Sequence, residues 1–264
     1  MWTRHRISLG LLGLSCFLLL SMVNGVAALL AVPTLLALLV TGRLVQTHSP
    51  WLQTFGHALF ICLALALALH WLPGFEGIRL IDSAVFSEGA LPYTLQLNLD
   101  KPLIGLWLAL ACPWVLVVRH RGLPASLLLI LPVTLLACLG SAWALDRIAW
   151  APKWPEGAWL WLLNNLLLVS LTEELLFRGY LQGGLQRLSG RPTLALWASA
   201  ALFGMAHLGG GWQWACLAGT AGLGYGLAYR QGGLLAAVLC HFGLNLVHFV
   251  AFSYPALRLP EPCL

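Results

Sequence analysis

The sequence is poor in charged residues. Asp, Glu, Lys and Arg together make up 9% of its 264 residues, whereas hydrophobic residues make up 60%. A soluble chain of this length could not bury so much apolar surface in one core. The composition therefore excludes a soluble domain and indicates a membrane protein.

Several functional signatures are also missing. The chain has no G-x-x-x-x-G-K-[ST] loop, no internal repeat, no low-complexity tract and no basic patch of the nucleic-acid-binding kind. We therefore expect no nucleic-acid partner. The seven cysteines are scattered without a C-x-x-C pair, so they predict neither a zinc knuckle nor a redox site. We expect them to be small buried hydrophobic residues.

Long apolar runs predict an all-α, polytopic transmembrane helical bundle of about eight to nine spans, since each run can cross about 30 Å of hydrocarbon. The first run follows Arg4 and Arg6 without a small-residue cleavage site, so we expect a retained span and not a signal peptide. The first two runs are separated only by Asn24-Gly25 and could form one broken or re-entrant hairpin. The runs are 7–22, 25–41, 54–72, 102–118, 124–145, 158–177, 193–208, 212–229 and 233–252.

The distribution of charge predicts the orientation of these spans, because Lys and Arg prefer cytoplasmic loops. With a cytoplasmic N-terminus, the inside segments hold Arg4, Arg6, Arg43, Arg119, Arg121, Arg187, Arg191 and Arg230, and no acidic residue. The outside segments hold Arg79, Lys101, Arg147, Lys153 and Arg258 together with Glu76, Asp82, Glu88, Asp100, Asp146, Glu156 and Glu261. Only Glu173, Glu174 and Arg178 are left inside the spans.

The longest segment between apolar runs is 73–101. Its turn residues and the alternating Y-T-L-Q-L-N-L predict a small extracytoplasmic loop with a strand or hairpin. We interpret it as a connector, with a substrate-guiding role as the alternative. Because the candidate functional residues all follow residue 150, we divide the chain into N-terminal helices with this loop, 1–150, and a core that carries the candidate site, 151–255.

Three charged residues follow the apolar run W-L-W-L-L-N-N-L-L-L-V. An ionisable residue in a membrane span is costly and is retained for a function or for a fixed partner. Glu174 and Arg178 are four residues apart, in the favourable order for an ion pair on one helix face. Glu173 points about 100° away, so the same arginine cannot easily satisfy it. Glu173 is therefore a candidate general base that acts on water.

Two histidines and an asparagine occur in the later runs. His207 ends F-G-M-A-H, and His241 and Asn245 share a helix face in H-F-G-L-N. At about 1.5 Å per residue, Glu173, His207 and Asn245 lie about 27, 24 and 22 Å from the predicted cytoplasmic turns. These residues are therefore expected to converge at one level. Four nearby glycines are expected to allow close helix packing without a catalytic role: Gly219, Gly222, Gly224 and Gly226.

The three motifs resemble those of a known family. E-E-L-L-F-R (173–178), F-G-M-A-H (203–207) and H-F-G-L-N (241–245) are similar to the E-E-x-x-x-R, F-x-x-x-H and H-x-x-x-N motifs of CPBP intramembrane proteases. That family includes CAAX prenyl endopeptidases of the Ras-converting type and many bacterial relatives. The resemblance covers roughly 155–252. It implies a protease in a bacterial cytoplasmic membrane that acts on a membrane-anchored protein or peptide.

The resemblance also implies a role for each residue. Glu173 would activate the attacking water, His207 would position and polarise it, and His241 with Asn245 would stabilise the oxyanion. Glu174 and Arg178 would fix the geometry of the site, with Phe203 packed in its motif. We expect a glutamate mechanism without a cofactor. The alternative is a zinc enzyme with Glu173, His207 and His241 as ligands, although an H-E-x-x-H helix is missing.

Two other functions are open at this point. The same residues could relay protons in a transporter, although the two halves show no hydropathy symmetry. The protein could also be a non-proteolytic partner in a peptide-export or immunity system, although all catalytic positions are filled. The substrate is open as well: it could carry a CAAX-like prenylated C-terminus or a sorting signal, or be a bacteriocin precursor or an anti-sigma factor.

Overall fold

The computed structural model describes residues 2–116 and 122–258, which are mostly helical. Arg119, Arg121, Glu261 and Cys263 therefore lie outside the described residues. The helices are α1 (Trp2–Asn24), α2 (Val32–Leu44), α3 (Pro50–Ala68), α4 (Asp100–Ala111), α5 (Leu123–Ala144), α6 (Ala158–Ser189), α7 (Pro192–Ala206) and α8 (Trp212–Ala251). Short 3₁₀ segments occur at Gly25–Ala31, Pro113–Val115 and Leu208–Gly210. In the predicted loop 73–101, β1 (Ile78–Ala84) and β2 (Tyr93–Leu97) pair as a two-stranded sheet.

Five helical segments of the described chain are long and apolar enough to cross a membrane: Leu9–Leu44, Pro50–Ala68, Leu123–Ala144, Ala158–Ser189 and Trp212–Ala251. A sixth apolar helix, α7, is shorter. Large apolar side chains such as Leu128, Leu136 and Trp197 are exposed on these helices and need lipid around them. The protein is therefore an integral membrane protein. The number of eight to nine spans stays a prediction.

Packing divides the chain into a first unit, Met1–Leu80 with Gln96–Val115, and a second unit, Ile81–Leu95 with Leu116–Leu264. The division passes through both strands of the hairpin. The boundary after residue 150 rests on the positions of the motifs, and it stays a prediction.

In the first unit, α1 and α2 form a helical hairpin. A Cβ atom on Gly42 would lie 2.8 Å from Leu9, and one on Gly13 would lie 3.6 Å from Leu39, so the two helices run antiparallel. The chain turns back after Asn24, as its turn signal predicts. Trp107 of α4 packs beneath α2, where its indole N–H donates to the Leu38 carbonyl at 2.8 Å.

In the second unit, two glycines with positive φ set the direction of the chain. Gly190, at φ 66°, ends α6, and Pro192 then starts α7. Gly233, at φ 74°, breaks α8 into arm 1 (212–232) and arm 2 (234–251). Tyr225 and His241 lie eight residues to either side of Gly233, and their rings stack with centroids 4.6 Å apart. The two arms therefore fold back on each other, and they correspond to the predicted runs 212–229 and 233–252.

Helix α6 departs from ideal α geometry around the acidic motif. Wider π-helical turns cover Asn164–Ser170 and Leu175–Gln182, to either side of the α-helical Leu171–Glu174. Such turns occur frequently at functional sites. The ideal 3.6-residue spacing assumed from the sequence therefore does not hold through the whole of this helix.

The cysteines depart from expectation at two positions. All six in the described chain are free thiols. Four are buried, but Cys62 and Cys216 are exposed on helix surfaces. Exposure there is compatible with a small apolar side chain because the surrounding solvent is lipid.

Candidate active site

A buried ion pair occupies the centre of the second unit. Nε of Arg178 lies 3.1 Å from Oε2 of Glu174, and neither side chain has accessible surface. This contact lacks hydrogen-bond geometry, so the attraction is ionic. Arg178 also donates from Nη2 to the Gly222 carbonyl at 3.1 Å, and its guanidinium carbon lies 4.5 Å from the centre of the Phe203 ring. The pair therefore ties α6 to α7 and to arm 1.

Glycines allow this close approach. A Cβ atom on Gly226 would lie 2.4 Å from Leu196 and 2.7 Å from Oε1 of Gln182. Gln182 in turn donates to the Gly226 carbonyl at 3.0 Å. In α7, a Cβ atom on Gly204 would lie 2.7 Å from the Ala215 carbonyl oxygen. Small residues here have the packing role that their spacing predicts.

His241 makes a second contact with the buried carboxylate. Its Nδ1 lies 2.8 Å from Oε1 of Glu174. Because a carboxylate accepts, Nδ1 carries the hydrogen, and Nε2 is left for another partner. The ring is held by stacking on Tyr225 and by the edge-on ring of Phe203, with centroids 5.8 Å apart. The sequence paired Glu174 with Arg178 alone, whereas the fold shares this carboxylate between α6 and arm 2.

Glu173 has no comparable partner. The side chain is half-buried, and its Oε2 is enclosed without a hydrogen bond from any described residue. It interacts electrostatically with Arg178 and Tyr225, so it lies near the same cluster. Of the two adjacent carboxylates, Glu174 is therefore the satisfied one and Glu173 the unsatisfied one.

A cavity of about 610 Å³ lies in the second unit. Three of the four predicted catalytic residues line it, His207, His241 and Asn245, together with Phe203. His207 follows the last residue of α7, and its Nδ1 donates to the Phe203 carbonyl at 2.8 Å, which leaves Nε2 as an acceptor. Glu173 is not among the lining residues. The remaining wall is largely apolar, so the cavity can enclose a peptide segment with few polar contacts.

Asn245 has a partner that the sequence did not single out. Its Nδ2 donates to Oδ1 of Asn165 at 3.2 Å, and the Ser170 hydroxyl donates to the same oxygen at 3.3 Å. Asn165 is buried in α6. The available signal was a costly polar pair, Asn164-Asn165, in an apolar run. His248 of arm 2 also lines the cavity and was likewise not singled out.

Two backbone segments, one in the loop 73–101 and one after arm 2, form part of the cavity wall. Leu91, Pro255 and Ala256 line it, and the Leu91 N–H donates to the Ala256 carbonyl at 2.9 Å. The Lys153 ammonium donates to the Phe252 carbonyl and so holds the start of the C-terminal segment. Burial lowers the pKa of Lys153 to about 8. Part of the loop 73–101 thus belongs to the cavity wall.

The zinc alternative can be compared with the geometry. Among the described residues, no three His, Cys, Asp or Glu side chains lie close enough together to hold a metal ion. Glu173, His207 and His241 therefore do not form the three-ligand set that a catalytic zinc site needs.

Comparison with known families agrees with the motifs. Residues 155–247 match the family model described as "Type II CAAX prenyl endopeptidase Rce1-like". The matched range contains all three motifs, from Glu173 to Asn245. Neither a curated protein nor a solved structure matches the chain. The resemblance seen in the motifs is confirmed for this part of the chain, which is similar to Rce1-like type II CAAX prenyl endopeptidases.

Proposed function

We propose that the protein is an intramembrane endopeptidase that hydrolyses a peptide bond near the C-terminus of a membrane-anchored protein or peptide, at a CAAX-like or sorting signal. One observation carries this proposal. A cavity within apolar helices holds His207, His241 and Asn245, while the buried pair Glu174–Arg178 leaves the adjacent Glu173 unpaired.

The mechanism begins with the attacking water. The mechanism requires the Glu173 side chain, which does not line the cavity, to turn towards it and take a proton from the water, while Nε2 of His207 holds that water in place. The water oxygen bonds to the substrate carbonyl carbon, and Asn245 and His241 donate to the oxyanion that forms. General-base action contributes about 10²- to 10⁴-fold, and each oxyanion donor contributes a few kcal/mol. The enzyme forms no covalent intermediate with the substrate.

The charge pattern supports a location and an orientation. Eight arginines and no acidic residue fall on the side assigned to the cytoplasm. This bias supports a cytoplasmic N-terminus, and the likeness of the motifs to those of bacterial relatives supports a bacterial inner membrane. The partners are the lipid bilayer and the membrane-anchored substrate.

A cleavage assay tests the proposal. Membrane and secreted peptide termini are first compared in cells with and without an intact Glu173, which identifies a substrate. Purified protein in bilayers is then tested on that substrate. We expect Glu173→Ala and His207→Ala to lower kcat by about 10²- to 10⁴-fold. The matched control is Glu76→Ala, which removes an exposed carboxylate in the loop 73–101 and should leave the rate unchanged.

Cleavage that survives both Glu173→Ala and His207→Ala would contradict the protease assignment. Proton flux in sealed vesicles that depends on Glu173, without proteolysis, would identify a transporter instead. If neither activity is seen and the intact protein only binds export or immunity proteins, a non-proteolytic partner role is supported.

A further inference from the structure

We propose that His241 and Glu174 form a proton-donating dyad. His241 passes a proton from Nε2 to the nitrogen of the leaving amine, and Glu174 positions the ring for this transfer. The inference rests on the proposed function and adds a general acid to it, because oxyanion binding by His241 does not by itself protonate the leaving group.

The geometry determines which ring nitrogen is available. Nδ1 of His241 is committed to Oε1 of Glu174 at 2.8 Å, and the ring is clamped against Tyr225 and Phe203. Nε2 lies on the far side of the ring from Nδ1, and His241 is one of the residues that line the cavity. The nitrogen available to a substrate is therefore Nε2. A buried carboxylate in this position holds the imidazole in one orientation, with the hydrogen of Nδ1 directed at it.

Hydrogen-bond chemistry then requires an imidazolium. With the hydrogen of Nδ1 directed at Glu174, Nε2 can donate to an oxyanion only if the ring carries a second proton. A His241 that acts as an oxyanion donor is therefore already an acid with its proton directed at the reacting atoms. Proton transfer to the nearby nitrogen needs no additional group.

The surroundings of His241 bring one carboxylate directly to its ring. The sequence supplies two adjacent carboxyl groups here, Glu173 and Glu174, and one arginine, Arg178. Among the described side chains around this pair, His241 contacts the Glu174 carboxylate directly, whereas Nδ1 of His207 is bonded to a backbone carbonyl. The titratable Tyr225 stacks on the ring of His241, and Cys240 precedes His241 in the sequence.

The full reaction balances with this assignment. Glu173 takes one proton from water, and the hydroxide oxygen bonds to the carbonyl carbon, whose π electrons move onto the oxygen. When that electron pair returns, the C–N bond breaks, and the nitrogen takes the proton from Nε2 of His241. The proton held by Glu173 then passes to His241 through water, which restores both groups. The products are one carboxylic acid and one amine.

The test compares two substrates that differ only at the scissile bond. One carries the natural amide, whose nitrogen must be protonated to leave. The other carries a thioester, whose thiolate leaves without a proton. We expect His241→Gln, which keeps an N–H donor but cannot transfer a proton, to lower kcat/KM for the amide at least 100-fold and for the thioester less than 10-fold. The matched control, Asn245→Ala, removes an oxyanion donor and should lower both rates by the same factor.

An equal loss on both substrates in His241→Gln would overturn the dyad and leave His241 as an oxyanion donor only. A variant that still cleaves the thioester is folded, so the assay contains its own folding control.

Wild-type protein provides a second measurement with a series of substituted anilide substrates. A shallow dependence of the rate on the basicity of the leaving aniline supports general-acid transfer, and a steep dependence overturns it. If wild-type protein cleaves none of these substrates, the proposed function itself has failed.

Discussion

Each unit of the protein contains a histidine paired with a buried carboxylate, and the two pairs differ in their surroundings. In the first unit, Asp100 lies in the first turn of α4, where its Oδ1 accepts from the Lys101 backbone N–H at 2.8 Å. Its Oδ2 contacts His70, whose side chain is 45% exposed. In the second unit, Glu174 lies within α6, and both its arginine and its histidine are buried.

The difference shows what a histidine–carboxylate pair can and cannot indicate. Asp100 accepts from one backbone N–H at a helix start, where a negative charge is favourable, so we assign it a structural role. Glu174 has no such local task, and its histidine lines a cavity. A histidine paired with a buried carboxylate therefore does not by itself predict a catalytic role. The cavity and a second, unpaired carboxylate nearby distinguish the candidate catalytic pair from the structural one.

The largest difference between the two histidine–carboxylate pairs is expected when each carboxylate is replaced by a neutral amide. Glu174→Gln leaves Arg178 buried without a counter-charge, and we expect a loss of about 3–5 kcal/mol in the free energy of unfolding, together with the loss of activity. Asp100→Asn removes a helix-terminal charge and should cost about 0.3–2 kcal/mol, with activity retained. Thermal unfolding in detergent and the cleavage assay measure both effects.

The two adjacent glutamates should also differ from each other. Glu173→Gln should leave a stable but inactive protein, whereas Glu174→Gln should lower stability. The reverse result would show that the roles of the two glutamates were assigned wrongly.

Substitution of Asn165, the hydrogen-bond partner of Asn245, is expected to have a smaller effect on activity. Asn165→Ala removes the acceptor that holds the Asn245 amide, so we expect kcat to fall about 10-fold because one oxyanion donor is less well positioned. The matched control is Asn164→Ala, at the neighbouring position, which should change kcat less than twofold. Steady-state kinetics separate kcat from KM. Equal effects of the two substitutions would contradict a specific role for Asn165.

A glycine-to-alanine substitution in each unit adds one methyl group and so compares how tightly the two units are packed. Gly204→Ala in the second unit would place a Cβ atom 2.7 Å from the Ala215 carbonyl oxygen, so we expect a loss of about 1–3 kcal/mol. Gly10→Ala in α1 meets nothing within 4 Å. It should stabilise the helix by up to about 1 kcal/mol, because alanine is the better helix former. Denaturation in detergent measures both, and similar effects would contradict the close approach at Gly204.

The smallest change is expected from metal removal. Neither histidine–carboxylate pair belongs to a group of three potential ligands among the described residues. Activity should therefore remain within twofold of its starting value after stringent chelation, while elemental analysis reports the metal content. An activity that falls to background and returns on addition of zinc would support the metallo mechanism.

Much of the site followed from local rules. The i,i+4 spacing of Glu174 and Arg178 predicted their contact because both lie on one helix, and the glycines of arm 1 predicted close packing. Asn165 was missed because its significance depends on Asn245, 80 residues away in the sequence. The exposure of Cys62 and Cys216 was missed because a cysteine in an apolar run can face either lipid or protein.

The sequence by itself determined the membrane class, the helical runs and the family motifs, because hydropathy and spacing are properties of adjacent residues. Tertiary structure decided the fold-back at Gly233, the enclosure of the cavity and the contact between Glu174 and His241, which lie 67 residues apart. Helical periodicity specifies which side chains share a face, but the faces of separate helices meet only through packing. The π-helical turns of α6 further shift these faces around the acidic motif. For this reason the sequence could identify the catalytic candidates, while the sharing of one buried carboxylate between an arginine and a histidine emerged only from the fold.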